Sequence, residues 1–82
     1  MPNVLTIFGY RFVIYPGDHP PARVHVIGKG VEAVFKLNCP DGPSILRNKY
    51  GIPSKDLRRI SAEVSARVPQ MCEIWRAING NY

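Results

Sequence analysis

The stretch "RVHVIGKGVEAVFKL", residues 23–37, decides the fold. Apolar and polar side chains alternate in both of its halves, the period of a strand with one buried face. Val24 and Val26 take one side, and Arg23, His25 and Ile27 the other. Beyond the glycines of "GKG", Val31, Ala33, Phe35 and Leu37 share a side opposite Glu32, Val34 and Lys36. Parallel neighbours need a long crossover, so two runs joined this closely read as an antiparallel hairpin with strands at 22–28 and 31–37.

Upstream, "NVLTIFGYRFVIYPG" (residues 3–17) is rich in β-branched and aromatic residues. It reads as strands near 3–8 and 11–15 around a tight turn at Gly9–Tyr10. Pro16, Gly17, Pro20 and Pro21 then interrupt any ladder. Downstream, residues 38–53 carry three prolines and two glycines and read as loop, with "SILR" at most a brief extra strand. From Ser54, a candidate helix N-cap, the apolar positions Leu57, Ile60, Val64, Val68, Met71, Trp75 and Ile78 recur at steps of three and four. That is one helical face over 54–79, capped at Gly80 and kinked or split near Pro69, which cannot donate to the preceding turn. The expected fold is a two-layer α+β domain spanning residues 1–82. In it a four-stranded antiparallel sheet packs one face against the C-terminal helical segment.

Composition narrows the class. Eighty-two residues with 45% hydrophobic and 21% charged side chains suit one small globular domain. The apolar runs are too short to span a bilayer, which points away from a membrane role. Cys39 and Cys72 form neither a C-x-x-C pair nor a disulfide-scaffold pattern, and the chain opens on no secretory leader. The expectation is therefore reduced thiols, distant from each other, in a cytoplasmic protein. The net charge is +5, and seven of the eleven basic residues lie beyond position 43. Arg47, Lys49, Lys55, Arg58 and Arg59 are the tightest group, fit either for an anionic partner such as nucleic acid or simply for solvent.

If Phe12, Ile14 and the apolar sides of residues 23–37 lie under the helix, the open sheet face carries Arg11, Tyr15, Arg23, His25, Glu32 and Lys36. The loop with Asp18 and His19 would close its end. Histidine exchanges protons near neutral pH, and arginine grips phosphate oxygens and stabilises charge at phosphorus. A metal-independent ribonuclease needs a base, an acid and a cation, roles that His19, His25 and Arg23 could fill with Asp18 and Tyr15 in support. The same residue types suit a solvated sheet face. A metal clip of Asp18, His19 and His25 is a further option, but His-x5-His is no standard zinc spacing, and no cofactor is expected.

Four segments, "DHPPARVHV", "VEAVFKL", "GIPSKDLRRI" and "IWRAING", together resemble a bacterial domain-of-unknown-function family. Its pattern runs D-H-x-P-P-H-[VF]-H-V, then E-A-x-[FV]-x-[LI], then a helix opening G-[FI]-x-S-x-x-[ED]-L-R-R-I with a late tryptophan. Some members resemble the toxin of Dhi-type type II toxin–antitoxin modules. The resemblance implies a toxin neutralised by a cognate antitoxin from an adjacent gene. It carries over to Asp18, His19, His25 and Arg23, with Tyr15 matching a frequent aromatic. This chain departs from the pattern at Ala22, in place of the second proline, and at Arg23, in place of the first strand histidine. Arginine holds an anion but is no neutral metal ligand, which favours a phosphate-binding surface over a metal clip.

Overall fold

The computed structural model describes residues 3–82. In chain order the elements are β1 (Asn3–Ile7), β2 (Tyr10–Val13), β3 (Arg23–Gly28), β4 (Val31–Lys36), β5 (Ile45–Tyr50), α1 (Ser54–Ser65) and α2 (Val68–Asn79). The strands form one meander in the order β1-β2-β3-β4-β5, every neighbouring pair antiparallel. The domain is thus α+β, but the sheet has five strands, not the four expected from sequence.

The additional strand is β5, where "SILR" extends through Asn48, Lys49 and Tyr50. All six of its residues are exposed, so no alternation marks it. Its pairing to β4 holds it: Phe35 faces Leu46 and Val34 faces Asn48, leaving Arg47 as the extra residue of a bulge.

The first turn sits one residue earlier than expected. Ile7 pairs with Tyr10, leaving Phe8 and Gly9 as the central residues, with φ of 57° and 82°. Positive φ at both positions is the backbone of a type I′ hairpin, whose twist matches that of the strands it joins. The shift makes Tyr10 a strand residue. An added Cβ at Gly28 would come within 2.7 Å of the Tyr10 ring, so only glycine leaves room for it there. The Tyr10 hydroxyl donates to Asp56 Oδ2 at 2.9 Å, joining the sheet to the first turn of α1. That hydrogen bond, then burial, then the Asp56 charge, hold the phenol above its ordinary pKa of 10.0.

The helical stripe divides where Pro69 required. α1 ends at Ser65, and Pro69 is the second residue of α2, where a missing N–H has no intrahelical partner to lose. Arg67 bridges the break, donating to the Glu63 carboxylate and to its carbonyl at 3.1 Å. Ser54 is the first helical residue, not the cap. Pro53 precedes it and accepts the Leu57 N–H at 2.9 Å, and no side chain caps this end. Gly80 terminates α2 at φ 85°, donating to the Arg76 carbonyl.

Phe12, Ile14, Val24, Val26, Phe35 and Leu37 from the sheet meet Ile60, Val64, Met71 and Trp75 from the helices, all fully buried. Leu57 and Ile78 only flank this core. Among the described residues, no helix is long and apolar enough to cross a membrane.

The cysteines depart furthest from expectation. Cys39 and Cys72 form a disulfide with Cα atoms 5.7 Å apart, closing 33 positions of chain. The expectation of distant, reduced thiols is overturned, and the geometry says why. Cys39 lies beyond the end of β4, after Asn38 turns the chain at φ 53°. Cys72 follows Met71 on the buried face of α2. The bridge pins the loop leaving β4 to the middle of α2.

Candidate functional site

The face of the sheet away from the helices holds the side chains with chemistry to offer. His25, in the central strand β3, pairs with Val13 on one side and Val34 on the other. Its ring lies between two carboxylates. Nδ1 is 3.2 Å from Glu32 Oε2, and Nε2 is 3.7 Å from Asp18 Oδ2. An ionised carboxylate only accepts, so Nδ1 carries hydrogen toward Glu32. The 3.7 Å contact is an ion-pair distance beyond a hydrogen bond, so Nε2 faces the Asp18 carboxylate without being bonded to it. The Tyr15 ring meets the imidazole edge to face, centroids 4.7 Å apart, and fixes its plane.

Asp18 reaches His25 from the loop between β2 and β3. Its Oδ1 accepts from the His19 N–H at 3.0 Å and from Arg23 Nη1 at 3.3 Å. Arg23 Nη2 donates in turn to the His19 carbonyl at 3.2 Å. The guanidinium therefore clasps the loop as well as facing outward. The far side of the loop is tied down from α2. Asn79 accepts the Gly17 N–H at 2.8 Å and donates to the Tyr15 carbonyl at 3.0 Å, so one amide holds both ends of the turn into Asp18.

Beside His25 opens a hollow of about 420 Å³ across β3, β4 and β5. Val34 and Pro21 give it apolar surface, and Arg23, Lys36 and Arg47 give it positive charge, with Asn48 adding amide donors. No carboxylate lines it. Three cations around a concave apolar patch next to an imidazole suit a phosphate ester.

The site expected from sequence is assembled in part. Tyr15, Asp18, Arg23 and His25 come together as one contact network. His19 contributes its backbone, while its side chain is exposed and makes no hydrogen bond or ion pair among the described residues. Among the described residues no three His, Cys, Asp or Glu side chains are grouped to hold a metal ion.

The basic cluster is divided. Arg47 lines the hollow on β5, while Arg59 stacks 3.7 Å over Phe8 in the β1–β2 turn, toward the opposite edge. Lys49, Lys55 and Arg58 are exposed.

Three residues outside the expected site matter here. Glu32 and Lys36 were legible as members of the face, though not as partners of His25. Asn79 gave no signal, because its contacts span more than sixty positions.

A family model described as "Domain of unknown function (DUF4160)" matches residues 9–76. No curated protein and no solved structure matches the chain.

Proposed function

We propose that this chain, which belongs to the DUF4160 family of unknown function, is the toxin of a type II toxin–antitoxin module. It acts on RNA or another phosphate-bearing target and is neutralised by contact with a small protein encoded by an adjacent gene. The toxin half of the reading draws on the likeness of its motifs to Dhi-type toxins. The chemical half rests on one observation: His25, set between Glu32 and Asp18, opens on a hollow edged by Arg23, Lys36 and Arg47.

In a metal-independent cleavage of RNA, His25 Nε2 would take the proton of the attacking 2′-hydroxyl as its oxygen bonds to phosphorus. The P–O5′ bond would break to leave a 2′,3′-cyclic phosphate, and the departing 5′-oxygen would take a proton from water. The cations would hold the phosphate and stabilise its developing charge. Glu32 and Tyr15 orient the ring, and Asp18 stabilises it once protonated. The alternative, a non-catalytic nucleic-acid-binding module using residues 47–59, draws less support, because that segment is divided between separate parts of the surface.

The test is growth of bacteria induced to make the wild type, His25→Ala, Glu32→Gln or His19→Ala, each with and without the neighbouring gene product. Wild type should arrest growth, and the partner should relieve the arrest. His25→Ala should abolish it, with RNA cleavage by the purified protein falling roughly 10²–10⁴-fold. His19→Ala should retain most of the effect. Equal arrest by all variants removes the catalytic reading, and no arrest by wild type removes the toxin.

A further inference from the structure

Strand β5 is exposed at every residue, and none of its side chains is among the buried residues of the core. Among the described residues, four large apolar side chains lie exposed: Phe8, Ile45, Leu46 and Tyr50. Phe8 is roofed by the Arg59 guanidinium, and the other three belong to β5, Tyr50 at 73% exposure. As the last strand of the sheet, β5 pairs with β4 alone, so its outer row of backbone N–H and C=O groups faces outward. Sheets normally blunt such an edge, because it is a template for another strand.

Charge selects the occupant. Between Asp41 and Asp56 the chain holds no acidic residue, while Arg47 and Lys49 stand on the strand and Lys55 follows it. A second copy pairing edge to edge would bring positive strand against positive strand, which is unfavourable. A strand bearing carboxylates would meet the same charges favourably and cover Ile45, Leu46 and Tyr50.

We infer that β5 is a docking edge for an extended, acidic segment of a partner protein, added to the sheet as a sixth strand. Docking itself does not depend on the toxin reading. Its consequence does: Arg47 and Asn48 also line the hollow beside His25, so an acidic strand seated on β5 would neutralise part of the hollow's charge.

The experiment titrates the intact chain with a labelled, strand-length peptide alternating glutamate and valine, and with its lysine counterpart, at low and high salt. Amide hydrogen exchange is followed in parallel. The glutamate peptide should bind, weaken with salt and protect the amides of β5, while the lysine peptide should not bind. Lys49→Glu, which leaves the lining of the hollow intact, should weaken the glutamate peptide at least about tenfold with an unchanged melting temperature. It should also narrow the gap to the lysine peptide. Equal affinity for both peptides, protection elsewhere than β5, or an RNA oligonucleotide protecting β5 where the peptide does not, would each overturn the proposal. So would a wild-type dimer that dissociates on Ile45→Lys. Growth arrest by Lys49→Glu is read separately, so a failed edge and a failed toxin reading give different results.

Discussion

Both β1 and β5 close the sheet, each paired on one side only, yet they are built differently. β1 turns Val4, Leu5 and Ile7 toward the core, whereas every residue of β5 is exposed. The helices explain much of the contrast. α1 is tied to the β1–β2 side by the Tyr10–Asp56 hydrogen bond and by Arg59 over Phe8. β5 hangs between fixed points: the Cys39–Cys72 bridge and the Ser44–Ser65 hydroxyl pair before it, and buried Ile52 after it. One edge is partly buried and the other is held in place while exposed, which is what an interaction surface requires.

The largest way to break this contrast is to release the bridge. Closing a loop of this length removes enough unfolded-state entropy to be worth about 3–4 kcal/mol, so Cys39→Ser/Cys72→Ser should lower stability by that amount. Denaturant titration measures it, and amide exchange in β5 should rise before exchange in β3. Next in size, Leu5→Ala on the inner edge should cost about 1–2 kcal/mol, since its side chain is only partly buried, while Leu46→Ala on β5 should stay within about 0.5 kcal/mol. Comparable losses at the two positions would erase the distinction.

A further test concerns pH. The Tyr10 phenol is held above its ordinary pKa, so its contribution to stability is fully present below pH 10.0 and lost as pH rises through the folded value. Tyr10→Phe should cost about 1 kcal/mol at neutral pH and flatten the alkaline limb of the stability profile. Melting curves at rising pH will show whether it does.

These differences also explain what could be read from sequence. Residues 23–37 were legible because one face is buried, and a one-residue slip would bury Arg23 and His25 in place of the valines. β5 was not, since with neither face covered nothing demands alternation. The turn at Phe8–Gly9 was misplaced by one residue because the capture of Tyr10 by Asp56 is a tertiary contact. The disulfide was not legible, because Asn38 turns Cys39 off the strand and its approach to Cys72, 33 positions on, is a tertiary contact. For the candidate site, parity brought Arg23 and His25 to one face correctly. His19 lies in a loop, where residue type does not dictate direction, and its side chain turned away.

The clasp made by Asn79 is also perishable. Gly80 follows it, and once this helix end frays and frees the Gly80 nitrogen from the Arg76 carbonyl, that nitrogen can attack the side-chain amide, expelling ammonia to a cyclic imide that water opens to aspartate or isoaspartate. Either product loses the donor that reaches the Tyr15 carbonyl and sets a negative charge against it. The loop carrying Asp18 would then loosen without any change in the encoded sequence. Stored protein should lose its Asp18–His25 geometry in step with a mass gain of about one dalton at this one asparagine, which peptide mapping beside a fresh sample would show.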